Sequence, residues 1–152
     1  MIPTDLLDYY RSRSCALQWQ GFIQALCEEL EHGLDAADRA HLMARLGERF
    51  SSAHVLPEAA TLRGLQDAAN AVWSQLDWGQ VEFQEQDDHV RVRHLGSPLA
   101  AAGGAQRPWL AGFLEGVYRG WFRAAGTSPA LDVVCIEADV NHVDSFSLSR
   151  AS

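Results

Sequence analysis

The sequence predicts an α+β fold with about four amphipathic helices and a small, mostly antiparallel sheet. Apolar residues recur at helical spacing in residues 16–76 and again in residues 108–122, whereas residues 80–95 alternate with the period of a strand. A short β-branched run follows at residues 133–136. The 152 residues are 47% hydrophobic and 21% charged, which fits one globular domain over residues 1–152.

Two helices are predicted near the N-terminus. The first covers residues 16–30 and ends at His32-Gly33, because glycine readily adopts the left-handed conformation that follows a helix. Asp35 is placed to cap the second helix, which ends before residues 51–56. The apolar positions expected to face inward are Trp19, Phe22, Ile23, Leu26 and Leu30 in the first helix and Leu42, Met43, Leu46 and Phe50 in the second.

A third helix is predicted to begin at Pro57-Glu58, since proline is favoured in the first turn of a helix. Its apolar residues are three and four positions apart in alternation, the spacing of a helix–helix contact, so a helical partner is expected. Trp73 lies beside this row, which consists of Leu62, Leu65, Ala69, Val72 and Leu76.

Residues 80–95 predict a β-hairpin. Val81 and Phe83 share one face of its first strand, and Val90 and Val92 share one face of its second strand. Glu82 is expected to face an arginine across the pair, a contact worth about 0.2 to 1 kcal/mol.

The fourth helix contains a ridge of three glycines. Pro108 suits its first turn, and Gly112, Gly116 and Gly120 follow at four-residue spacing. Three glycines in a helix cost about 3 kcal/mol relative to alanine, so a neighbour must approach the ridge closely. Either the helix packs tightly on the chain's own sheet, or the ridge contacts another copy. The candidates for an interface between copies are Gly112, Gly116, Gly120 and Trp121.

Two strands are predicted near the C-terminus. Val133-Val134-Cys135-Ile136, within residues 131–138, is typical of a strand that is buried on both faces. Residues 146–149 predict the other strand, with residues 139–145 as the connection.

Charge and composition exclude several functions. The formal charge of −8 argues against nucleic acids and anionic membranes as partners. The basic residues are all arginine, which excludes Schiff-base chemistry on lysine and the lysine of a Walker A loop. No apolar run approaches the length that crosses a bilayer, so membrane insertion is not expected. Three cysteines and an acidic start without a signal-like segment predict a cytoplasmic protein.

The sequence also lacks motifs of catalysis. It contains no GxSxG, HExxH, phosphate loop or dinucleotide fingerprint. His89 and His94 are predicted to point to opposite faces of a strand, and Cys15 and Cys27 lack CxxC spacing. We therefore expect no catalytic residues, metal or cofactor, and we predict that the protein is not an enzyme.

Two aromatic features allow contact with a polysaccharide. Tyr9, Tyr10, Arg11 and Arg13 lie outside the helical pattern, on an arm that can stack and donate hydrogen bonds or is an ordinary chain terminus. Trp78, Trp109 and Trp121 are either core residues or platforms for sugar rings.

Several segments together resemble the bacterial cellulose synthase operon protein D family, in consistent order over residues 22–138. They are Phe22-Ile23-Gln24 to Leu26, Arg45-Leu46-Gly47 with Arg49-Phe50, Asp77-Trp78-Gly79-Gln80-Val81, and Trp109-Leu110-Ala111 with Leu114-Glu115-Gly116-Val117-Tyr118 and Trp121.

The resemblance implies a non-catalytic protomer that forms dimers and then an octamer, as a tetramer of dimers, with passages for nascent glucan chains. It implies a role in the formation of crystalline cellulose, with synthase subunits and a proline-rich protein as partners. Because the N-terminal segment of the family is thought to line the passages, Tyr9, Tyr10, Arg11 and Arg13 become the glucan-contact candidates. Guidance of exported glucan implies the periplasm, in contrast to the cytoplasmic location predicted above.

Two alternatives of other classes remain. The first is a monomeric carbohydrate-binding module that stacks Trp and Tyr rings on sugars. The second is an enzyme acting on glucan, in which two carboxylates would serve as acid and base.

Overall fold

The structure, a computed structural model, describes residues 5–6, 15–99, 101 and 106–151, and Tyr9, Tyr10, Arg11 and Arg13 lie outside the described residues. The helices are α1 (Leu17–Gly33), α2 (Ala36–Ala53), α3 (Leu62–Leu76) and α4 (Gly112–Ala124), with a 3-10 turn at Pro108–Ala111 before α4. The strands are β1 (Gln80–Glu85), β2 (Val90–Leu95), β3 (Leu131–Val140) and β4 (Val143–Arg150). These elements confirm the predicted α+β class.

Within the described residues the strands form one antiparallel sheet in the order β1-β2-β4-β3. The β1–β2 hairpin is confirmed, and Glu82 faces Arg93 across it with 4.0 Å between Oε2 and Nη1. The connection from β3 to β4 is shorter than predicted. Asn141 and His142 turn the chain with φ of 53° and 66°, the left-handed conformations that a tight hairpin turn requires.

Side-chain caps set the beginnings of two helices. The carboxylate of Asp35 accepts a hydrogen bond from the backbone N–H of Asp38 at 2.8 Å, so the predicted cap of α2 is confirmed. The prediction for α3 was wrong, because the helix begins at Leu62 rather than Pro57. The hydroxyl of Thr61 accepts from the N–H of Gly64 at 3.0 Å and thereby caps α3.

The main core lies between the inner face of the sheet and helices α3 and α4. Trp73, predicted beside the apolar row of α3, lies at its centre with no exposed surface, whereas Leu76 is partly exposed. Helix α3 packs on β1 rather than in a helix–helix seam, so the expected helical partner is not its main neighbour. The largest fully buried side chains of the described residues are Trp73, Tyr118, Phe146, Leu114, His94, Val92, Val117 and Val133.

The glycine ridge of α4 faces helix α2 of the same chain. An added Cβ at Gly116 would lie 1.9 Å from the carbonyl oxygen of Ala44, and one at Gly47 would lie 1.9 Å from that of Phe113. The close neighbour that the sequence required is therefore a helix backbone, not the chain's own sheet. Helix α2 thus covers Gly112, Gly116 and Gly120 within the protomer.

Strand β3 differs from the prediction on one point. Val133 is fully buried, but Val134 and Ile136 are exposed, so the strand is buried on one face only. As the terminal strand of an antiparallel sheet it packs its inner face on α4 and leaves its outer face open.

Candidate functional site

Helix α1 carries a broad apolar face of which the rest of the protein covers only part. Cys27 is buried, and Ile23 and Leu30 pack beside it, in a small cluster that also contains Met43, Trp109 and Leu110. Trp19, Phe22 and Leu26 were expected to face inward, but 54%, 59% and 43% of their surfaces are exposed. We call these three residues the α1 stripe. Their sequence spacing places them next to one another on the helix surface.

Two arginines connect α1 to the body of the protein, and one of them, Arg39 of α2, donates from Nη1 to the carbonyl oxygen of Glu31 at 3.4 Å. Arg107 precedes the 3-10 turn, and its Nε lies 2.7 Å from Glu31 Oε1, while its Nη1 donates to Gln24 Oε1 at 3.2 Å. The Arg107 side chain is largely buried, so the ion pair is partly shielded from solvent. These contacts hold the covered side of α1, and the α1 stripe stays on the open side.

The charges of α1 are unevenly distributed. Its first eleven residues, 17–27, carry no charged side chain, and Glu28, Glu29 and Glu31 follow in the last turns. Trp19 and Phe22 contact each other edge to face with their ring centroids 6.0 Å apart, so the exposed rings form one contiguous patch. A contiguous exposed apolar patch is typical of a surface that binds another macromolecule.

The buried polar groups of the core form a closed network without access to solvent. Trp73 Nε1 donates to the Tyr118 hydroxyl at 3.1 Å, and Tyr118 lies 2.5 Å from His94 Nδ1. His94 Nε2 lies 2.7 Å from the carbonyl oxygen of Trp78. Burial lowers the pKa of His94 to about 4 and raises the pKa of Tyr118 well above its usual value. His94 is therefore neutral near pH 7 and serves to position the core.

A second polar cluster surrounds Arg119 of α4. Its Nε lies 2.6 Å from Asp132 Oδ1, and its Nη2 lies 3.1 Å from Glu115 Oε1. Partial burial opposes charge on both Arg119 and Asp132, but the hydrogen bond and attraction between them prevail, so the pKa of Arg119 is raised and the pKa of Asp132 is lowered. The carboxylates of Glu115 and Asp132 are both ion-paired with the Arg119 guanidinium, which connects α4 to β3.

A cleft of about 740 Å³ lies between the C-terminal ends of α2 and α4. Glu48, Glu58 and Trp121 are among its lining residues. Only 3% of the Trp121 surface is exposed, and its indole Nε1 donates to the carbonyl oxygen of His54 at 2.9 Å. The ring is thus a core residue and offers no face to a sugar. Among the described residues no group of three or more His, Cys, Asp or Glu side chains is arranged to hold a metal ion.

The four interface candidates lie on α4, whereas the glucan-contact candidates lie outside the described residues. Gly112, Gly116 and Gly120 contact α2, and Trp121 belongs to the core, so an interface role for these four positions stays a prediction that the packing does not require. Sequence reasoning missed the α1 stripe because Trp19, Phe22 and Leu26 were all assigned to the inner face. The sequence did contain one indication: the apolar face of α1 is wider than the surface that a single neighbouring helix can cover.

In the part of the chain that the structure describes, no helix combines the length and apolarity required to cross a bilayer. The arrangement defines a class of protein, namely a small α+β protein whose most distinctive surface is an apolar helix face rather than a catalytic cleft.

Comparison with known proteins agrees with this class. The family described as the D-subunit of cellulose synthase matches residues 5–147. Relatives named "Cellulose synthase operon protein D" include two from Komagataeibacter xylinus, 30% identical over 103 residues and 27% identical over 127 residues. A third, from Komagataeibacter sucrofermentans, is 29% identical over 103 residues. The matches cover 66%, 82% and 66% of this chain and 66%, 81% and 66% of the respective relatives.

The chain therefore belongs to the cellulose synthase D-subunit family, as its sequence motifs predicted, and it is an accessory subunit of cellulose synthesis.

Proposed function

We propose that this protein is a non-catalytic subunit that associates with copies of itself and arranges cellulose synthase complexes, or guides their glucan chains, so that crystalline cellulose forms. The observation that carries this proposal is the α1 stripe, because three large apolar side chains on one rigid helix are costly to leave in water. The ion-paired carboxylates around Arg119 and the inaccessible His94 support a role without catalysis.

The partner of the α1 stripe in this proposal is α1 of a second copy, in antiparallel orientation. Parallel pairing would bring Glu28, Glu29 and Glu31 of both copies together, and like charges repel. Antiparallel pairing instead places the uncharged residues 17–27 of each copy beside the acidic end of the other. Such a contact has two-fold symmetry and yields a dimer, the unit from which the proposed octamer, a tetramer of dimers, is built.

The wider assembly includes the synthase complex subunits, the glucan chain and a proline-rich protein as partners, with the cytoplasm as the proposed location. The net charge of −8 disfavours nucleic acids and anionic lipid surfaces as further partners. The glucan-contact role proposed for Tyr9, Tyr10, Arg11 and Arg13 is supported by the stacking and hydrogen-bonding capacity of these side chains and by the family resemblance.

Light scattering coupled to size-exclusion chromatography tests self-association. Wild-type protein at micromolar concentration is expected to elute with the mass of several protomers, and Phe22→Ser is expected to lower that mass. Because a symmetric interface contains Phe22 twice, the substitution weakens dimerisation by about 2 kcal/mol or more. Val55→Ser is the matched control, because Val55 is an apolar residue that is 76% exposed and lies outside α1. This substitution is expected to leave the mass unchanged. A wild-type mass equal to one protomer contradicts the proposal.

The monomeric carbohydrate-binding alternative receives less support from the tryptophans. Trp73, Trp109 and Trp121 are buried and Trp78 is half-buried, so Trp19 is the exposed indole of the described structure. Retention of the monomeric Phe22→Ser variant on insoluble cellulose, with loss of retention in Tyr9→Ala/Tyr10→Ala, would favour the alternative.

A further inference from the structure

The outer edge of β1 is occupied by side chains of helix α3. Asn70 Nδ2 donates to the carbonyl oxygen of Val81 at 2.9 Å, and the N–H of Val81 donates to Asn70 Oδ1 at 2.7 Å. The N–H of Phe83 donates to Gln66 Oε1 at 2.8 Å. The Asn70 amide thus makes the same pair of hydrogen bonds that one residue of an added antiparallel strand would make.

The outer edge of β3 is occupied in the same way by helix α4. The N–H of Cys135 donates to Glu115 Oε2 at 2.8 Å, and Arg119 Nη2 donates to the carbonyl oxygen of Val133 at 2.9 Å. The N–H of Val133 donates to Asp132 Oδ1 at 2.8 Å, and the same oxygen accepts from Arg119. Beyond Cys135 the register of β3 shifts twice, between Cys135 and Glu137 and between Glu137 and Val140.

We propose that two pairs of helix side chains, Gln66 with Asn70 and Glu115 with Arg119, close the two edges of the sheet to strand addition. Each pair is four residues apart on its helix and therefore points at one edge. Backbone groups of β1 and β3 that an incoming strand would have to bind are already hydrogen-bonded within the protomer. The register shifts of β3 distort the remainder of that edge, a device that also discourages pairing.

This closure restricts the kind of partner that the protein accepts. A second copy or a partner segment has to bind through helix surfaces or the open sheet face, because addition of a strand would first have to displace the helix side chains. The closure is a property of the protomer, and it does not depend on the function proposed above. It also protects a sheet whose edge strand exposes Val134 and Ile136 from uncontrolled association.

Amide hydrogen exchange measured by NMR tests whether the edges are closed. In wild-type protein the amides of Val81, Phe83, Val133 and Cys135 are expected to exchange slowly, although they lie on edge strands. In Gln66→Ala/Asn70→Ala the first two are expected to exchange roughly tenfold faster, in proportion to the loss of a hydrogen bond. The amide of Val92 in a central strand reports whether the variant is folded. Wild-type exchange of the four amides at the rate of an unstructured peptide overturns the proposal.

Sedimentation velocity tests the consequence for association. The Gln66→Ala/Asn70→Ala pair is introduced together with Phe22→Ser, so that contact through the α1 stripe does not mask the result. This variant is expected to show a mass that rises with concentration, whereas Phe22→Ser alone does not. Gln66→Glu keeps an acceptor for Phe83, and Asp67→Ala alters an exposed residue of the same helix, so both serve as controls without added association. If the Gln66→Ala/Asn70→Ala/Phe22→Ser variant is folded and its mass stays constant as the concentration rises, the proposal is overturned.

Discussion

A methyl group added at the crossing of α2 and α4 is expected to destabilise the protein, although alanine favours helices. In Gly116→Ala the new Cβ would lie 1.9 Å from the carbonyl oxygen of Ala44 in the wild-type geometry. Since real Cβ atoms do not come closer than about 3.0 Å to such an atom, this distance must increase. Both sides of this contact are helix backbone, so no side chain can rotate away and the helices must separate. We take about 3 kcal/mol for the overpacking, from the upper end of its usual range. The higher helix propensity of alanine stabilises the folded state by about 1 kcal/mol, so the net loss of unfolding free energy is about 2 kcal/mol.

Gly21 of α1 provides the matched control. It is also an internal helical glycine, but an added Cβ would have no neighbour within 4 Å. Gly21→Ala is therefore expected to stabilise the protein by about 1 kcal/mol through helix propensity alone. The two substitutions are chemically identical and differ only in what surrounds the new methyl group.

Urea unfolding followed by circular dichroism, at one protein concentration, measures both effects. A loss of about 2 kcal/mol shifts the midpoint of Gly116→Ala by about 1 M to lower urea, and Gly21→Ala shifts it by about half as much in the opposite direction. If Gly116→Ala proves as stable as the wild type, the backbone contact between Gly116 and Ala44 is not formed, and the interpretation of the ridge as an intramolecular contact fails.

Two further predictions concern buried titratable groups. Because the folded-state pKa of His94, about 4, lies below its ordinary value of 6.5, His94 supports the folded state above pH 6.5 and loses that contribution as the pH falls towards 4. Relative to His94→Gln, the wild type should lose up to about 3 kcal/mol of unfolding free energy over this range, measured by urea titration at several pH values, and parallel pH profiles would contradict the assignment. Burial raises the pKa of the Cys135 thiol to about 12 and raises that of Cys27, so both should react far more slowly with a disulfide reagent in the native protein than in denaturant. Equal rates for either thiol in the two conditions would show that it is accessible in solution.

Much of the local structure followed from the sequence because its causes act over a few residues. The Asp35 cap and the hairpin of Val81 and Phe83 each depend on backbone preference or a nearby side chain. The beginning of α3 was misplaced because Pro57 and Thr61 both carry signals for a helix start. The side-chain hydrogen bond that decided between them forms at Thr61.

The candidate site was less predictable, because it depends on which surfaces the rest of the chain leaves open. The helical spacing of Trp19, Phe22 and Leu26 is equally compatible with burial and exposure. Among the contacts that hold α1 in place are those of Arg107, whose partners Glu31 and Gln24 lie 76 and 83 residues away in sequence. No local pattern encodes that distance.

The sequence by itself determined the α+β class, the family, and the requirement for a close neighbour at Gly112, Gly116 and Gly120. Only the tertiary structure decided that this neighbour is α2, that Trp19 and Phe22 remain in solvent, and that helix side chains bind the sheet edges. The spacing of residues in the sequence shows that one face of a helix is apolar, or that glycines leave its backbone open to close contact. The identity of the partner depends on how elements distant in sequence pack in space, and packing is a property of the whole chain.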